Sequence, residues 1–259
     1  MHTPCIVTTS WDDGDPKDLR VAEMLQSRGL RGTFYIPLMG YDGRPTLDAP
    51  DLRMLSSQGF EIGAHGVSHH VLPKFYGKEL NREVSICKRR LQDILGDEVR
   101  MFCYPKGRYS NHVIRALEKA GYAGARTTEM LSCRIDMNPY RIATTLEACP
   151  HKSADYLRNF ARALNVRGAL DWAVRFRHAK NWVAMAMETF DQVLRTGGIW
   201  HLYGHSWIVE ESNHWDDLGE VLDYVSRKEG VSYIPNRGIL KFLPSYQHSS
   251  LDTQPTVEK

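Results

Sequence analysis

The sequence lacks a long apolar run, and this absence argues against a helix that crosses a membrane. No stretch of about 18 consecutive apolar residues occurs in the 259 residues, whereas a spanning helix needs about 20. The first residues, MHTPCIVTTS, also lack the charged segment and long apolar segment of a secretory signal. We therefore expect a cytoplasmic protein without stable membrane insertion.

Cysteine is scarce, and its five residues are scattered without a C-x-x-C pair. An odd number of isolated cysteines argues against a disulfide framework and against a zinc site made of thiolates. Reduced thiols in a cytosol fit this pattern better. The cysteines are Cys5, Cys87, Cys103, Cys133 and Cys149.

A large excess of one charge is missing as well. The chain has 33 basic and 31 acidic side chains, for a formal net charge of +2. Binding to nucleic acid or to an anionic membrane usually draws on a strong basic surplus. We expect no nucleic-acid partner, and the sequence leaves the oligomeric state open.

What the sequence does contain is an alternation of short apolar runs with longer amphipathic stretches. Such an alternation predicts parallel strands joined by crossover helices, in an open doubly wound sheet or in a barrel, and seven strands suit a closed or nearly closed barrel. The predicted strands cover 5–10, 32–37, 60–64, 100–105, 122–127, 199–204 and 231–235. The predicted helices cover 16–29, 50–58, 78–95, 110–120 and 214–229.

The chain is predicted to form one domain over residues 1–246. Residues 150–196 show helical periodicity throughout, and we interpret them as an elaboration packed on the barrel. Residues 247–259 are polar and lack periodicity, so we predict a disordered tail there.

Candidate functional residues follow four of the predicted strands. In parallel α/β folds, reactive groups collect at the carboxyl ends of the strands, on the loops that lead into helices. Four strand ends carry groups that titrate or bind metals: Asp12 and Asp13; His65, His69 and His70; Lys106, Gly107 and Arg108; and His205, with His201 inside the last of these strands.

The spacing of His65 and His69 suggests a metal site when it is combined with the aspartate pair. Residues four apart on a helical turn face the same way, so two imidazoles can bind one ion. The spacing of the two histidines by itself is weak evidence for a metal site. The pair Asp12 and Asp13 by itself could form a turn before a helix. One carboxylate and two imidazoles suit zinc, cobalt, nickel or divalent iron, and three protein ligands leave positions open for water and substrate.

Three motifs in this order resemble the polysaccharide deacetylases of the NodB-homology type, carbohydrate esterase family four. They are S-W-D-D-G from residue 10, H-G-V-S-H from residue 65 and F-C-Y-P-K-G from residue 102. The resemblance covers about residues 4 to 127 well and is looser to about residue 240. It implies a distorted (β/α) barrel and an activity that removes acetyl groups from sugars.

The resemblance also implies roles for individual residues. Asp13, His65 and His69 would bind one divalent metal ion, most often zinc, and Asp12 would act as the general base toward the metal-bound water. The backbone N–H of Lys106 would stabilise the oxyanion. A histidine on a late strand would protonate the departing amine, and we prefer His205 to His201 because His205 lies just past the strand.

The sequence departs from the family pattern at three motifs, the first being the histidine motif, where Gly66 stands in place of the more usual Ser or Thr. Cys103 stands where the family more often has an arginine that pairs with the base, and Arg126, at a strand end, is our substitute, with Arg108 and Arg141 as alternatives. The family's D-W element, which tunes the acid, has no convincing match, because Asp171-Trp172 lies in a helical pattern far downstream. Trp207 and Tyr104 are predicted to contact the substrate.

The sequence as a whole predicts a metal-dependent hydrolase that deacetylates an acetamido sugar. The sugar would belong to a polysaccharide or to its nucleotide-linked or lipid-linked precursor, so the expected partner is an N-acetylated sugar or glycan substrate. Two alternatives stay open. One is an amide hydrolase of the same fold that acts on a cyclic ureide or imide, and the other is an inactive carbohydrate-binding barrel.

Overall fold

A parallel sheet forms the centre of the fold. The computed structural model describes residues 3–179 and 181–244. Within these residues the strands are β1 (Cys5–Asp12), β2 (Gly32–Ile36), β3 (Glu61–Ala64), β4 (Met101–Cys103), β5 (Gly124–Arg126), β6 (Leu146–Glu147), β7 (Gly198–Gly204) and β8 (Val231–Tyr233). Their order is β5-β4-β3-β2-β1-β7-β6, and β8 pairs with the beginning of β1.

The sheet curls so that its two ends approach each other. Ile142 forms a parallel bridge with Arg126 at the end of β5. A few residues later, Leu146 and Glu147 of β6 pair with Leu202 and Tyr203 of β7. One short segment therefore connects both edges of the sheet, which confirms the predicted distorted (β/α) barrel.

Helices cover the sheet between successive strands. They are α1 (Asp18–Gln26), α2 (Ala49–Ser57), α3 (Gly77–Asn81), α4 (Cys87–Leu95), α5 (Asn111–Lys119), α6 (Ser153–Ala163), α7 (Val166–Asp171), α8 (Trp182–Thr196), α9 (Ser206–Glu211), α10 (Trp215–Val225) and α11 (Asn236–Ile239). A π-helical turn, Arg82–Ile86, separates α3 from α4. None of the described helices combines the length and the apolar composition that crossing a membrane requires.

β1 occupies the centre of the sheet, and its first half is apolar. Its eight residues are all buried, because β2 and β8 pair with it on one side and β7 pairs with it on the other. Trp11 of β1 and Trp200 of β7 are fully buried in the core. Burial on both faces is the usual reason that strands of parallel sheets form continuous apolar runs.

All seven predicted strands are present, but β6 was not predicted. It is two residues long, and so short a strand leaves no alternation that a pattern could detect. The prediction that 150–196 is helical throughout is wrong at two places. Leu164 adopts a left-handed conformation that ends α6, and a further break lies between the π-helical turn Trp172–Phe176 and α8. The predicted tail lies outside the described residues.

Candidate metal centre and active site

The turn after β1 directs two neighbouring carboxylates to different partners. Asp12 is the last residue of β1, and Asp13 and Gly14 follow with φ of 74° and 63°. Gly14 is required because a Cβ there would lie 2.9 Å from Thr46 Oγ1 and 3.0 Å from Ile36 Cδ1. A non-glycine residue at positive φ is uncommon, although aspartate tolerates it better than most. Such conformations cluster at functional sites.

Asp13, His65 and His69 come together as one buried cluster. Asp13 Oδ1 lies 3.7 Å from His65 Nε2 and 3.3 Å from His69 Nε2. This oxygen is buried and has no hydrogen-bond partner among the described residues. Burying a carboxylate oxygen without a hydrogen-bond partner costs free energy unless a cation binds that oxygen. The spacing and the donor types therefore fit a divalent ion bound about 2.0–2.2 Å from each ligand.

Two hydrogen bonds orient these groups toward a common point. His65 Nδ1 lies 2.8 Å from the carbonyl oxygen of Cys103, which leaves Nε2 free as a ligand when Nδ1 carries the proton. The indole Nε1 of Trp207 donates to Asp13 Oδ2 over 3.0 Å, so the other oxygen of Asp13 faces the histidines. Outer contacts of this kind fix the tautomer and orientation of metal ligands.

A buried glutamate holds the loop that connects the two histidines. Glu83, in the π-helical turn, accepts hydrogen bonds from the backbone N–H of Val67 at 2.8 Å and of Ser68 at 3.0 Å. It also accepts one from Ser68 Oγ at 3.0 Å. A π-helical turn often marks a functional position. Here it brings a carboxylate under the loop, and the sequence motifs did not indicate this role.

Asp12 lies beside His65 and contacts a buried arginine. The guanidinium of Arg126 donates to Asp12 Oδ1, and the thiol of Cys103 lies 3.6 Å from Oδ2. Arg126 is fully buried between the rings of Tyr35 and Tyr203. Burial works to raise the pKa of Asp12, but Arg126, followed by His65 and His205, outweighs it and lowers the pKa below its ordinary value.

The other two candidate arginines lie elsewhere. Arg141 donates to Asn111 Oδ1 over 3.1 Å. Arg108 lines a separate recess beside the loop that follows β4. Of the three arginines, the structure thus brings Arg126 against the carboxylate of Asp12.

His205 lies beside both aspartates and is held by a glutamate that the sequence analysis missed. Its Nε2 is 4.0 Å from Asp12 Oδ2 and 3.9 Å from Asp13 Oδ2, while its Nδ1 is 3.1 Å from Glu147 Oε1. Burial works to lower the pKa of His205, but the hydrogen bond and the charge of Glu147 raise it to about 9. The contact with Glu147 thus favours the protonated form of the imidazole.

Glu147 is the last residue of β6, and three groups contact it. Besides His205, its Oε2 accepts from the Tyr203 hydroxyl at 2.7 Å and lies 2.8 Å from His151 Nε2. Burial works to raise the pKa of Glu147, but His151 and His205 outweigh it and lower the pKa well below its ordinary value. Only the unpredicted strand brings this carboxylate to the site.

His201, the alternative acid, lies in the core. It is fully buried, with Nε2 2.9 Å from Ser10 Oγ and Nδ1 3.1 Å from the carbonyl oxygen of Ala143. Burial lowers the pKa of His201 to about 3, so this side chain stays neutral. His201 pairs with Thr8, well before the end of β1 that carries the aspartates, so it lies deeper in the barrel than His205.

The candidate residues surround a pocket of about 390 Å³. Lys106, with φ of 56°, and Trp207 both contribute to its wall. The opposite wall comes from α6, within the helical elaboration, so that segment shapes the site as well as packing on the barrel. The residues that α6 contributes are Asp155, Arg158, Asn159 and Arg162.

The prediction that Tyr104 binds substrate requires correction. Its side chain is fully buried, packs against Phe102 and Tyr109, and donates from its hydroxyl to the carbonyl oxygen of Tyr140 over 3.0 Å. The ring therefore faces the core and does not line the pocket. His70 also lies apart from the cluster, exposed and beside Phe75.

Comparison with known proteins confirms the predicted resemblance. The family model described as polysaccharide deacetylase matches residues 2–125. Among curated proteins, YxkH of Bacillus subtilis, named as a polysaccharide deacetylase, is 23% identical over 139 residues. That alignment covers 53% of this chain and 50% of the relative, so the chain aligns with about half the length of that relative.

Solved structures show the same fold over nearly the whole chain. A Mycobacterium smegmatis structure described as a polysaccharide deacetylase has a TM-score of 0.62 at 14% identity, and the alignment covers 100% of this chain and 95% of that one. A structure described as T48 deacetylase with substrate has a TM-score of 0.57 at 16% identity and covers 93% and 92%. At such identities these similarities establish the fold.

Proposed function

Residues 2–125 match the polysaccharide deacetylases, and from this premise we propose that the chain is a metal-dependent N-deacetylase of an acetamido sugar. One observation carries the proposal. A cluster with the ligand types of a catalytic metal site lies beside a carboxylate paired with Arg126 and an imidazole paired with Glu147. Hydrolysis of an amide needs a base for the water and an acid for the amine, and the pocket offers both.

Asp13, His65 and His69 would hold the metal. A divalent ion bound there, zinc by preference and cobalt, nickel or iron as alternatives, supplies Lewis acidity toward water and toward the amide carbonyl. Its positive charge also offsets the repulsion between Asp12 and Asp13, which would otherwise be adjacent anions in a buried site.

The protein groups around the metal site divide the proton transfers between them. Asp12 takes the proton of the attacking water, and Arg126 keeps that carboxylate charged beforehand. The backbone N–H of Lys106 donates to the oxyanion that develops on the carbonyl oxygen. His205 then gives its proton to the departing amine, while Glu147 fixes its orientation and its charge.

The substrate that we propose is an N-acetylated sugar, in a polysaccharide or in its nucleotide-linked or lipid-linked precursor. Trp207 lines the pocket and is the aromatic side chain best placed to contact a sugar ring. One side of its indole is occupied, because the guanidinium carbon of Arg44 lies 4.1 Å from the ring centroid. A sugar would therefore meet the remaining face or the edge.

A screen of acetate release tests the proposal. The full chain is assayed with zinc, cobalt or nickel against N-acetylated nucleotide sugars, oligosaccharides and cyclic ureides. We expect acetate from at least one acetamido sugar. Release of product from ureides alone would replace this function with the hydrolysis of cyclic amides, and no turnover of any substrate class would remove the enzymatic interpretation.

Two variants separate the metal from the base. Asp12→Asn should keep its metal and lose about 10²–10⁴-fold in acetate release, because a positioned general base contributes about that much. His65→Ala should lose the metal itself, measured by elemental analysis of the purified protein. Asp42→Asn, at an exposed position in another loop, serves as the control. Unchanged acetate release by Asp12→Asn would remove the proposed base.

A further inference from the structure

A second recess adjoins the pocket and contains two arginines. It measures about 260 Å³ and is lined by the loop after β4, by the segment after β5 and by the end of α6. Arg162 of α6 lines both the pocket and the recess, and Arg108 lines the recess. A molecule that fills the pocket can therefore extend past Arg162 toward Arg108.

The loop that carries Arg108 is held close to Arg162 by direct packing. Gly107 has φ of +63°, and a Cβ at this position would lie 2.1 Å from Thr128 Oγ1. The backbone at Gly107 thus lies directly on Thr128. The same Oγ1 accepts a hydrogen bond from Arg162 Nη2 over 2.9 Å. Thr128 therefore connects the two elements and orients one guanidinium.

Neither arginine has a counter-ion within residues 3–179 and 181–244. Arg108 and Arg162 form no ion pair there, whereas Arg158, one turn earlier on α6, pairs with Asp155 at 3.3 Å. Burial, and then the charge of Arg108, lower the pKa of Arg162. Two neighbouring cations without a carboxylate between them repel each other, and an anion would relieve that repulsion.

One carboxylate, Glu129, does line the recess. Burial raises its pKa, and the cation that opposes this effect is Arg134, which is neither of the two arginines. Arg134 in turn pairs with Asp136 at 2.9 Å. Among the described residues, Glu129 forms no ion pair with Arg108 or Arg162.

We propose that Arg108 and Arg162 form a subsite for an oxyanion, phosphate or carboxylate, that the substrate carries beside its acetamido sugar. The planar guanidinium presents paired donors that match both oxyanions. The inference rests on the proposed function, because it places the anion on the same substrate. The proposal also assigns a role to α6, because Arg162 on this helix would favour a charged sugar over a neutral one.

Binding of pyrophosphate to the metal-loaded chain tests the subsite without any need for turnover. Isothermal titration calorimetry should show that Arg108→Gln and Arg162→Gln each weaken binding roughly tenfold to a hundredfold, because one charge-assisted contact is worth about that much. Arg28→Gln, whose arginine pairs with Asp223 at 2.8 Å and lines neither the pocket nor the recess, should bind like the parent chain. Circular dichroism confirms that each variant is folded.

Pyrophosphate could bind only at the metal site, and that outcome would refute the subsite. In that case the two arginine variants would bind like the parent chain, and His65→Ala would lose the binding. The variant Arg162→Lys tests charge and geometry separately, because it keeps the positive charge and loses the paired donors of the guanidinium. We expect it to fall between the parent chain and Arg162→Gln, and affinity equal to that of Arg162→Gln would refute the role of charge.

Kinetics distinguish the source of the anion. Acetate release is compared for the methyl glycoside of N-acetylglucosamine, its 1-phosphate, its uridine diphosphate, a short-chain lipid diphosphate and an oligosaccharide that contains a uronic acid. In the arginine variants, KM should rise only for the charged substrate that uses the subsite. Turnover with no change in KM for any charged substrate refutes the subsite and leaves the deacetylase intact. Pyrophosphate binding without any turnover refutes the deacetylase instead.

Discussion

Replacing Glu147 by glutamine should change how acetate release depends on pH. Glu147 lies 3.1 Å from His205 Nδ1 and raises the pKa of that imidazole to about 9. Glutamine has nearly the same shape and can still accept the Nδ1–H hydrogen bond, but it has no charge. The substitution therefore removes the electrostatic part of the contact and keeps the orientation of the ring.

The size of the effect follows from the two pKa values. With a pKa of about 9, about nine-tenths of His205 is protonated at pH 8. With an ordinary pKa of about 6.5, about 3% would be protonated at that pH. Because Asp12 and Asp13 also raise this pKa and remain in the variant, acetate release at pH 8 should fall by at most about thirtyfold. At pH 6 the protonated fraction of His205 should differ less than twofold between the two proteins.

The measurement is a profile of kcat against pH, from about pH 5 to pH 10, for the parent chain, Glu147→Gln and Glu98→Gln as an exposed control. The alkaline limb of the Glu147→Gln profile should move toward lower pH. A loss of the same factor at every pH would refute the argument, because it would indicate a structural role for Glu147. An unchanged profile would show that His205 is not the acid.

The same contact predicts how stability depends on pH. A group whose pKa is raised in the folded state stabilises that state fully below its unfolded pKa, and this contribution is lost as the pH rises through the folded value. The His205 contact should therefore stabilise the fold below about pH 6.5 and lose its effect toward about pH 9. Glu147→Gln should flatten the urea-unfolding free energy across this range, and an unflattened curve would contradict the raised pKa.

Three further variants follow from buried contacts. Arg126→Met should lower the free energy of unfolding in urea by about 3–5 kcal/mol, because it leaves Asp12 as a buried unpaired charge; an unchanged midpoint would contradict the pairing. Glu83→Gln should weaken metal binding roughly 10- to 100-fold in a chelator competition, since outer contacts of metal sites have about that effect, and equal affinity would show that the histidine loop holds its shape without this carboxylate. Tyr104→Phe should leave KM unchanged and cost about 1 kcal/mol of stability from one lost hydrogen bond, whereas a raised KM would restore Tyr104 as a substrate contact.

Local patterns in the sequence were sufficient for most of the fold. Seven strands could be predicted because burial on both faces requires continuous apolar runs, and this requirement is visible in a short window. β6 could not be predicted, because two residues carry no periodicity. Its pairing with β7 depends on the curl of the whole sheet. Because β6 was not predicted, its last residue, Glu147, was not identified as a site residue.

The sequence by itself determined which strand ends carry Asp12, Asp13, His65, His69 and His205, because parallel topology brings the carboxyl ends of strands to one edge. Only the tertiary structure decided three further points. It placed Arg126, rather than Arg108 or Arg141, against Asp12, and it placed His201 and Tyr104 in the core. The physical reason is that strand ends follow from the local pattern of the chain, whereas the direction of a side chain and the charges that meet it depend on how distant strands pair.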